Sequence, residues 1–131
     1  MGSFSDYWEN RILDHIFGKA VLTPPTIYIG LSAEEPDEDG LSVVEPSGNA
    51  YARVQTSVDD WSAASDGSLD NANEIVFPMA TGSWGTMTHF VLFDAAAGGN
   101  MLAFGLLSPS KTIGSGDMAK FAAGDLVLSL D

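Results

Sequence analysis

Two histidines, His15 and His89, and no cysteine bound the nucleophilic and metal chemistry open to this chain. A zinc site draws on three or four nitrogen or sulfur ligands. Neither histidine has a second histidine or a cysteine near it in sequence. His89 and Asp94 fall within one apolar run. Side chains alternate along a strand, so an odd separation sends these two to opposite faces and removes a direct Ser-His-Asp pairing. No Gly-x-Ser-x-Gly elbow, phosphate loop or dinucleotide fingerprint occurs. Two acidic clusters invite a calcium reading: Glu34, Glu35, Asp37, Glu38 and Asp39, then Asp66, Ser68 and Asp70. In the first, Leu41 holds the next alternate position; in the second, Asn71 stands where an EF-hand loop needs its turn glycine. The expectation is solvated acidic loops, with no metal, no cofactor and no catalytic residues.

Aromatic side chains offer a different chemistry. Tyr51, Trp61 and Trp84 are candidates for a ligand-stacking platform, since one face of a pyranose ring is apolar. The competing role is that of core and rim filler, and Trp84 between Gly82 and Gly85 reads first as the anchor of a turn. Trp8, Ile12, Ile16 and Phe17 form a second set. They lie on one side of an amphipathic segment and are candidates for an interface.

That segment is the one helix expected, over residues 3–19. Ser3 or Ser5 can cap it, and Asp6 and Glu9 occupy the first turn, where the dipole favours acids. Gly18 suits the position after the helix, and Pro24-Pro25 forbids continuation. A helix this short is marginal alone. Its apolar face packs either on its own sheet or on a neighbouring subunit, and both readings are open at this level.

The rest is written in strands. Apolar runs cut by Gly, Asn, Ser and Pro mark an antiparallel all-β domain. Strands are expected over 26–32, over 50–58 with Ala52, Val54, Thr56 and Val58 facing inward, and repeatedly from Glu74 onward. Residues 59–73 read as a polar surface excursion and 111–118 as a turn region. In 86–94 both alternating sets are apolar, so that strand should be central. The expected core is Ile27, Ile29, Leu31, Val54, Phe77, Phe90, Leu92, Leu126 and Leu128. The fold class is then all-β, a jelly-roll-like antiparallel β-sandwich with one N-terminal α-helix. Its parts are residues 1–19 for the helix and 20–131 for the sandwich.

Eighteen acids against five bases give a formal charge of −13. Such a surface repels phosphate backbones and anionic bilayers, so neither nucleic acid nor membrane is an expected partner. No apolar run approaches the length of a membrane span. The start of the chain lacks the basic and long apolar segments of a secretory signal, and assembly in a reducing host cytoplasm is expected.

The order of segments is more specific than any one of them. A helix ending Ile16-Phe17-Gly18 is followed by Tyr28-Ile29-Gly30-Leu31-Ser32, Glu45-Pro46-Ser47-Gly48 and Tyr51-Ala52-Arg53-Val54. Next come Ile75-Val76-Phe77-Pro78, Ser83-Trp84-Gly85-Thr86, Phe93-Asp94-Ala95 and Gly98-Gly99-Asn100. This series resembles a family of small tailed-bacteriophage virion proteins known as phage tail fibre proteins. The resemblance implies a non-enzymatic virion component, of tail-fibre, tail-tip or capsid-decoration type, joined to other phage proteins and used as a homo-oligomer, a trimer by analogy with fibres. The rival expectation is a carbohydrate-binding module for host adsorption. The resemblance carries over no catalytic residue. Gly30 and Gly85 are expected to serve close backbone approach or unusual φ, and Tyr51 and Arg53, on one strand face, to order a loop.

Overall fold

A computed structural model describes residues 3–130. The expected domain limits at residues 1 and 131 lie outside the described residues. The chain opens with a two-residue strand, β1 (Ser3–Phe4), and passes through Ser5 into the helix α1 (Asp6–Ile16). Ser5 is extended, and its Oγ accepts the Trp8 N–H at 3.2 Å, the expected cap. The helix is shorter than the 3–19 expected. Ser3 and Phe4 pair with Phe104 and Ala103 of a later strand, and the Ser5 N–H donates to the Leu102 carbonyl at 2.8 Å. Backbone donors committed to a sheet are lost to a helix. At the other end Gly18 takes φ +74, and the chain turns out of the helix.

Then follow β2 (Tyr28–Ser32), β3 (Val54–Gln55), a 3₁₀ turn at Val58–Asp60, β4 (Ser68–Asp70) and β5 (Ile75–Val76). The long strands β6 (Gly85–Phe93) and β7 (Met101–Ile113) come next, and the short β8 (Lys120–Phe121) and β9 (Val127–Ser129) close the chain. Five strands form one antiparallel sheet in the order β1-β7-β6-β2-β3. Two short antiparallel ladders, β4-β9 and β5-β8, face it. The fold is thus mainly antiparallel β with one N-terminal helix, as the patterning implied.

The principal core lies between these layers. Ile29, Leu31, Phe90, Leu92 and Leu102 of the large sheet meet Ile75, Phe77, Phe121, Leu126 and Leu128 of the facing ladders. The strand β6 is central, as its doubly apolar pattern required: Phe90 and Leu92 enter this core, while Val91 and Phe93 join Met101 and Phe104 on the opposite face. Gly105 is opposite Phe90, and a Cβ there would collide with the Phe90 ring. The ring therefore lies across the glycine backbone.

Several expected elements differ. Residues 50–58 do not form one strand. Asn49 and Ala50 have φ of +53 and +66, outside strand geometry, and Asp60 Oδ2 accepts the Ser57 N–H at 2.9 Å, which ends β3 in a 3₁₀ turn. Ala52 and Val58 are accordingly exposed, Val58 at 85%. Ile27 and Val54, counted in the core, are only half-buried at its edge. Residues 59–73 stay at the surface except for Asn71, as expected, but they include β4 and are tied to the body. Trp61 bridges Asn71, and buried Asn71 donates to the Asn73 and Ala122 carbonyls while accepting the Leu126 N–H. One side-chain amide thus joins β4 to the start of β9. The strand β7 runs on to Ile113, so the turn expected over 111–118 begins only at Gly114, where the Asp117 N–H donates to the Gly114 carbonyl at 3.0 Å.

Ile29 is fully enclosed. Ile29→Ala is expected to cost about 2–5 kcal/mol in denaturant unfolding. A loss under about 0.5 kcal/mol, the range of surface changes, would contradict the register of β2.

Candidate functional site

On the outer face of β2 three side chains converge. Arg53 Nη2 donates to Glu45 Oε1 at 2.7 Å and Nε to Oε2 at 3.0 Å, a two-pronged ion pair. Tyr51 donates its hydroxyl to Glu45 Oε2 at 2.6 Å and accepts the Leu31 N–H at 3.0 Å. Arg53 Nη1 donates to the carbonyls of Ala95 and Gly98, each at 2.8 Å, and the guanidinium lies 3.6 Å from the Phe93 ring centroid. Burial, aided by the bond to Glu45, holds the Tyr51 phenol well above its ordinary pKa. The hydroxyl stays protonated and keeps donating. Gly30 makes room: a Cβ there would sit 2.9 Å from both Glu45 Oε2 and the Tyr51 hydroxyl. Tyr51 and Arg53 thus order loops as expected, but through Glu45. Sequence reasoning missed Glu45, whose only signal was its place in the turn block Glu45-Pro46-Ser47-Gly48. Four of the five Arg53 N–H donors and the Tyr51 hydroxyl are met by protein partners, so the cluster is a clamp.

The three aromatic candidates are divided between two places. Trp84 is 6% exposed, edge-on to Tyr51 at 5.2 Å, with its indole N–H on the Asn49 carbonyl at 2.9 Å. It anchors the turn into β6, where Gly85 takes φ +86. Trp61 is half-buried elsewhere and donates to Thr56 Oγ1 at 3.0 Å. It lines a cleft of about 1010 Å³ that neither Tyr51 nor Trp84 reaches.

That cleft runs between α1 and the edge of the β layers. Phe4, Trp8, Leu22, Ile27, Trp61 and Leu69 are among its walls. The four interface candidates part company here. Trp8 and Ile12 are half-buried, with Trp8 against the core and its ring 5.2 Å from Phe4. Ile16 and Phe17 are 64% and 72% exposed, beside Leu13 at 53% and Val21 at 79%. The Trp8 indole N–H is the buried side-chain donor that lacks a partner among the described residues.

His89 is buried and shares a hydrogen bond with Thr88 Oγ1 at 2.8 Å; Glu35 is 3.8 Å from its Nε2. Asp94 turns away to accept from Asn100. Asp6, Glu9 and Glu38 bring three exposed carboxylates within 4.8 Å of one another. These are not the acidic clusters singled out above, apart from Glu38.

Two measurements check this geometry. Arg53→Ala strands the Glu45 carboxylate and is expected to cost about 3–5 kcal/mol; a loss near zero in denaturant unfolding would show that the clamp is idle. Desolvation, only partly opposed by Glu35, lowers the His89 pKa below its ordinary value. The unfolded chain then binds the proton more readily, so the stability linked to His89 is full above about pH 6.5 and is lost as pH falls through the folded pKa. Between pH 7 and about pH 5 the native chain should lose melting temperature relative to His89→Gln. Parallel profiles would contradict the assigned direction.

The geometry describes a scaffold: a sheet with its loops clamped, an apolar cleft and an exposed helix end. No helix among the described residues is long and apolar enough to cross a membrane. A comparison with curated proteins gives no match. The sequence model of the family described as "Podophage GP4 fiber I protein gp80" matches residues 3–129. Because that match spans almost the whole chain, the protein belongs to the podophage GP4 fiber I protein gp80 family, and is a structural fibre component of a phage virion.

Proposed function

We propose that the chain acts without catalysis as a repeated fibre subunit, assembled in symmetric copies, and that the end of α1 is its docking element. The exposed apolar group Leu13, Ile16 and Phe17, with Val21 beyond it, carries this reading. Residues three and four apart share a helix face, so the first three form one knob. Contiguous apolar surface of this kind marks interaction sites, and a large aromatic such as Phe17 is a typical anchor. The last turn of α1 then serves as the docking arm, while β1 and Trp8 belong to the body. A net charge of −13 opposes close approach of copies, so the contact must be apolar at its centre with charges at the rim. A closed ring of head-to-tail contacts satisfies every subunit, and a threefold ring is the reading that suits a fibre. Other virion proteins are the remaining partners, with tail fibre preferred over capsid decoration because the family is a fibre family. Assembly takes place in the host cytoplasm.

A carbohydrate-binding reading rests on Trp61 in the cleft. It requires glycan-array binding that Trp61→Ala abolishes while the melting transition survives.

Deleting the first 18 residues would confound docking with folding, because it removes β1 and Trp8 from the body. Point changes avoid this. Ile16→Asp with Phe17→Asp, both on exposed positions, should leave the melting temperature nearly unchanged and convert an oligomer to a monomer by light scattering. A native chain that is monomeric at high concentration, or a double variant that assembles normally, would refute the helix-end assignment.

A further inference from the structure

We infer that His15 is a pH-sensitive latch: its ring holds the linker between α1 and β2 in place as the outer wall of the apolar cleft, and a second proton on the ring lets that wall go. Residues 17–27 form neither helix nor strand. As far as Ala20 the linker is secured at the helix end, where the Lys19 and Ala20 N–H groups both donate to the Asp14 carbonyl. At its far end the Ile27 carbonyl accepts the Thr56 N–H at 2.9 Å and the Thr56 hydroxyl at 2.8 Å. Between these points, over 21–26, one hydrogen bond is made among the described residues: the Leu22 N–H donates to His15 Nδ1 at 3.1 Å. His15, Leu22, Pro24 and Pro25 all line the cleft. The polar tether of this wall is thus made to a group that titrates.

A ring nitrogen that accepts a hydrogen bond carries no proton, so the bond requires neutral His15 with its proton on Nε2. The imidazolium has N–H on both nitrogens, and its Nδ1 then meets the Leu22 N–H as donor against donor. Imidazole gains that proton in mildly acidic solution. His15 is exposed in the last turn of α1, where a cation sits well against the final carbonyls. From the linker and the β layers, no Asp, Glu, Lys or Arg among the described residues lines the cleft. On the helix side Asp14 precedes His15, Arg11 stands one turn earlier with its guanidinium 5.6 Å from the Tyr7 ring centroid, and Lys19 follows beyond the helix. The ion pairs among the described residues join Arg53 to Glu45 and His89 to Glu35, so no carboxylate holds a charged His15. Acid therefore removes the tether and puts nothing in its place. The freed Leu22 N–H turns to water, and the linker is left with its half-buried Leu22 and Pro25.

Exchange of the Leu22 amide with water, measured by NMR and divided at each pH by the rate of an unstructured peptide, decides the matter. Three chains are compared: native, His15→Phe, which has no acceptor, and His15→Asn, whose Oδ1 stands near the place of Nδ1 and does not titrate. His15 is exposed, so neither change threatens the fold, and His89 is common to all three. At about pH 7.5 the native chain and His15→Asn should exchange about fivefold more slowly than His15→Phe, the worth of one such bond. At about pH 5 the native chain should approach His15→Phe while His15→Asn stays protected. In the native chain alone, the Leu22 amide shift should follow the titration of the His15 ring and not that of His89. Native and His15→Phe chains that exchange equally at the higher pH would overturn the latch. A native chain that keeps its full advantage over His15→Phe at the lower pH would overturn the switch. An apolar fluorescent dye taken up by the cleft should brighten on acidification more with the native chain than with His15→Asn. Equal brightening would overturn the link between the latch and the cleft wall.

Discussion

The pairing of Arg53 with Glu45 is the constraint on which much of the outer architecture depends. A guanidinium whose side chain is only 6% exposed is tolerable only if its charge and donors are met. Here the Glu45 carboxylate, two loop carbonyls and the Phe93 ring meet them. The same carboxylate accepts the hydrogen bond of the Tyr51 hydroxyl. The clamp therefore ties the turn at Glu45, the segment leading into β3, and the loop joining β6 to β7 into one unit. Removing any member leaves a buried charge or donor behind, which is why the cluster is cooperative and why Gly30 beneath it has no room for a side chain.

A sheet secured in that way does not need all of its helix. Trp8 and Ile12 reach the body, and the last turn of α1 does not. The apolar residues left outside face the same problem as an unpaired sheet edge: they invite a partner. In a fibre subunit that is useful, because one surface can be kept for assembly while the fold remains intact without it.

Much of this was legible in the sequence, for reasons that can be named. Strong alternation identified Ile29, Leu31, Phe90, Leu92, Leu126 and Leu128, because a buried face imposes a period of two residues. The cap at Ser5 and the central place of β6 followed from equally local rules. What escaped was set by distant partners. β1 exists only because Ser3 and Phe4 pair with Phe104 and Ala103 of β7 and the Ser5 N–H finds the Leu102 carbonyl. The segment around Asn71 looked polar and wandering, yet its amide is matched by residues some fifty positions away, at Ala122 and Leu126. Glu45 carried no signal of its own for the same reason. The aromatic candidates were visible as types, but only packing could separate Trp84, sealed beside Tyr51, from Trp61 in the cleft.

The account's central claim is that the helix end is an assembly surface and that the chain is used in symmetric copies within the fibre. A density map of the intact particle tests this most directly. The account predicts several copies about an axis in the fibre, each with Ile16 and Phe17 covered by a neighbouring subunit. Copies placed away from the fibre, or with that helix end facing solvent, would contradict it.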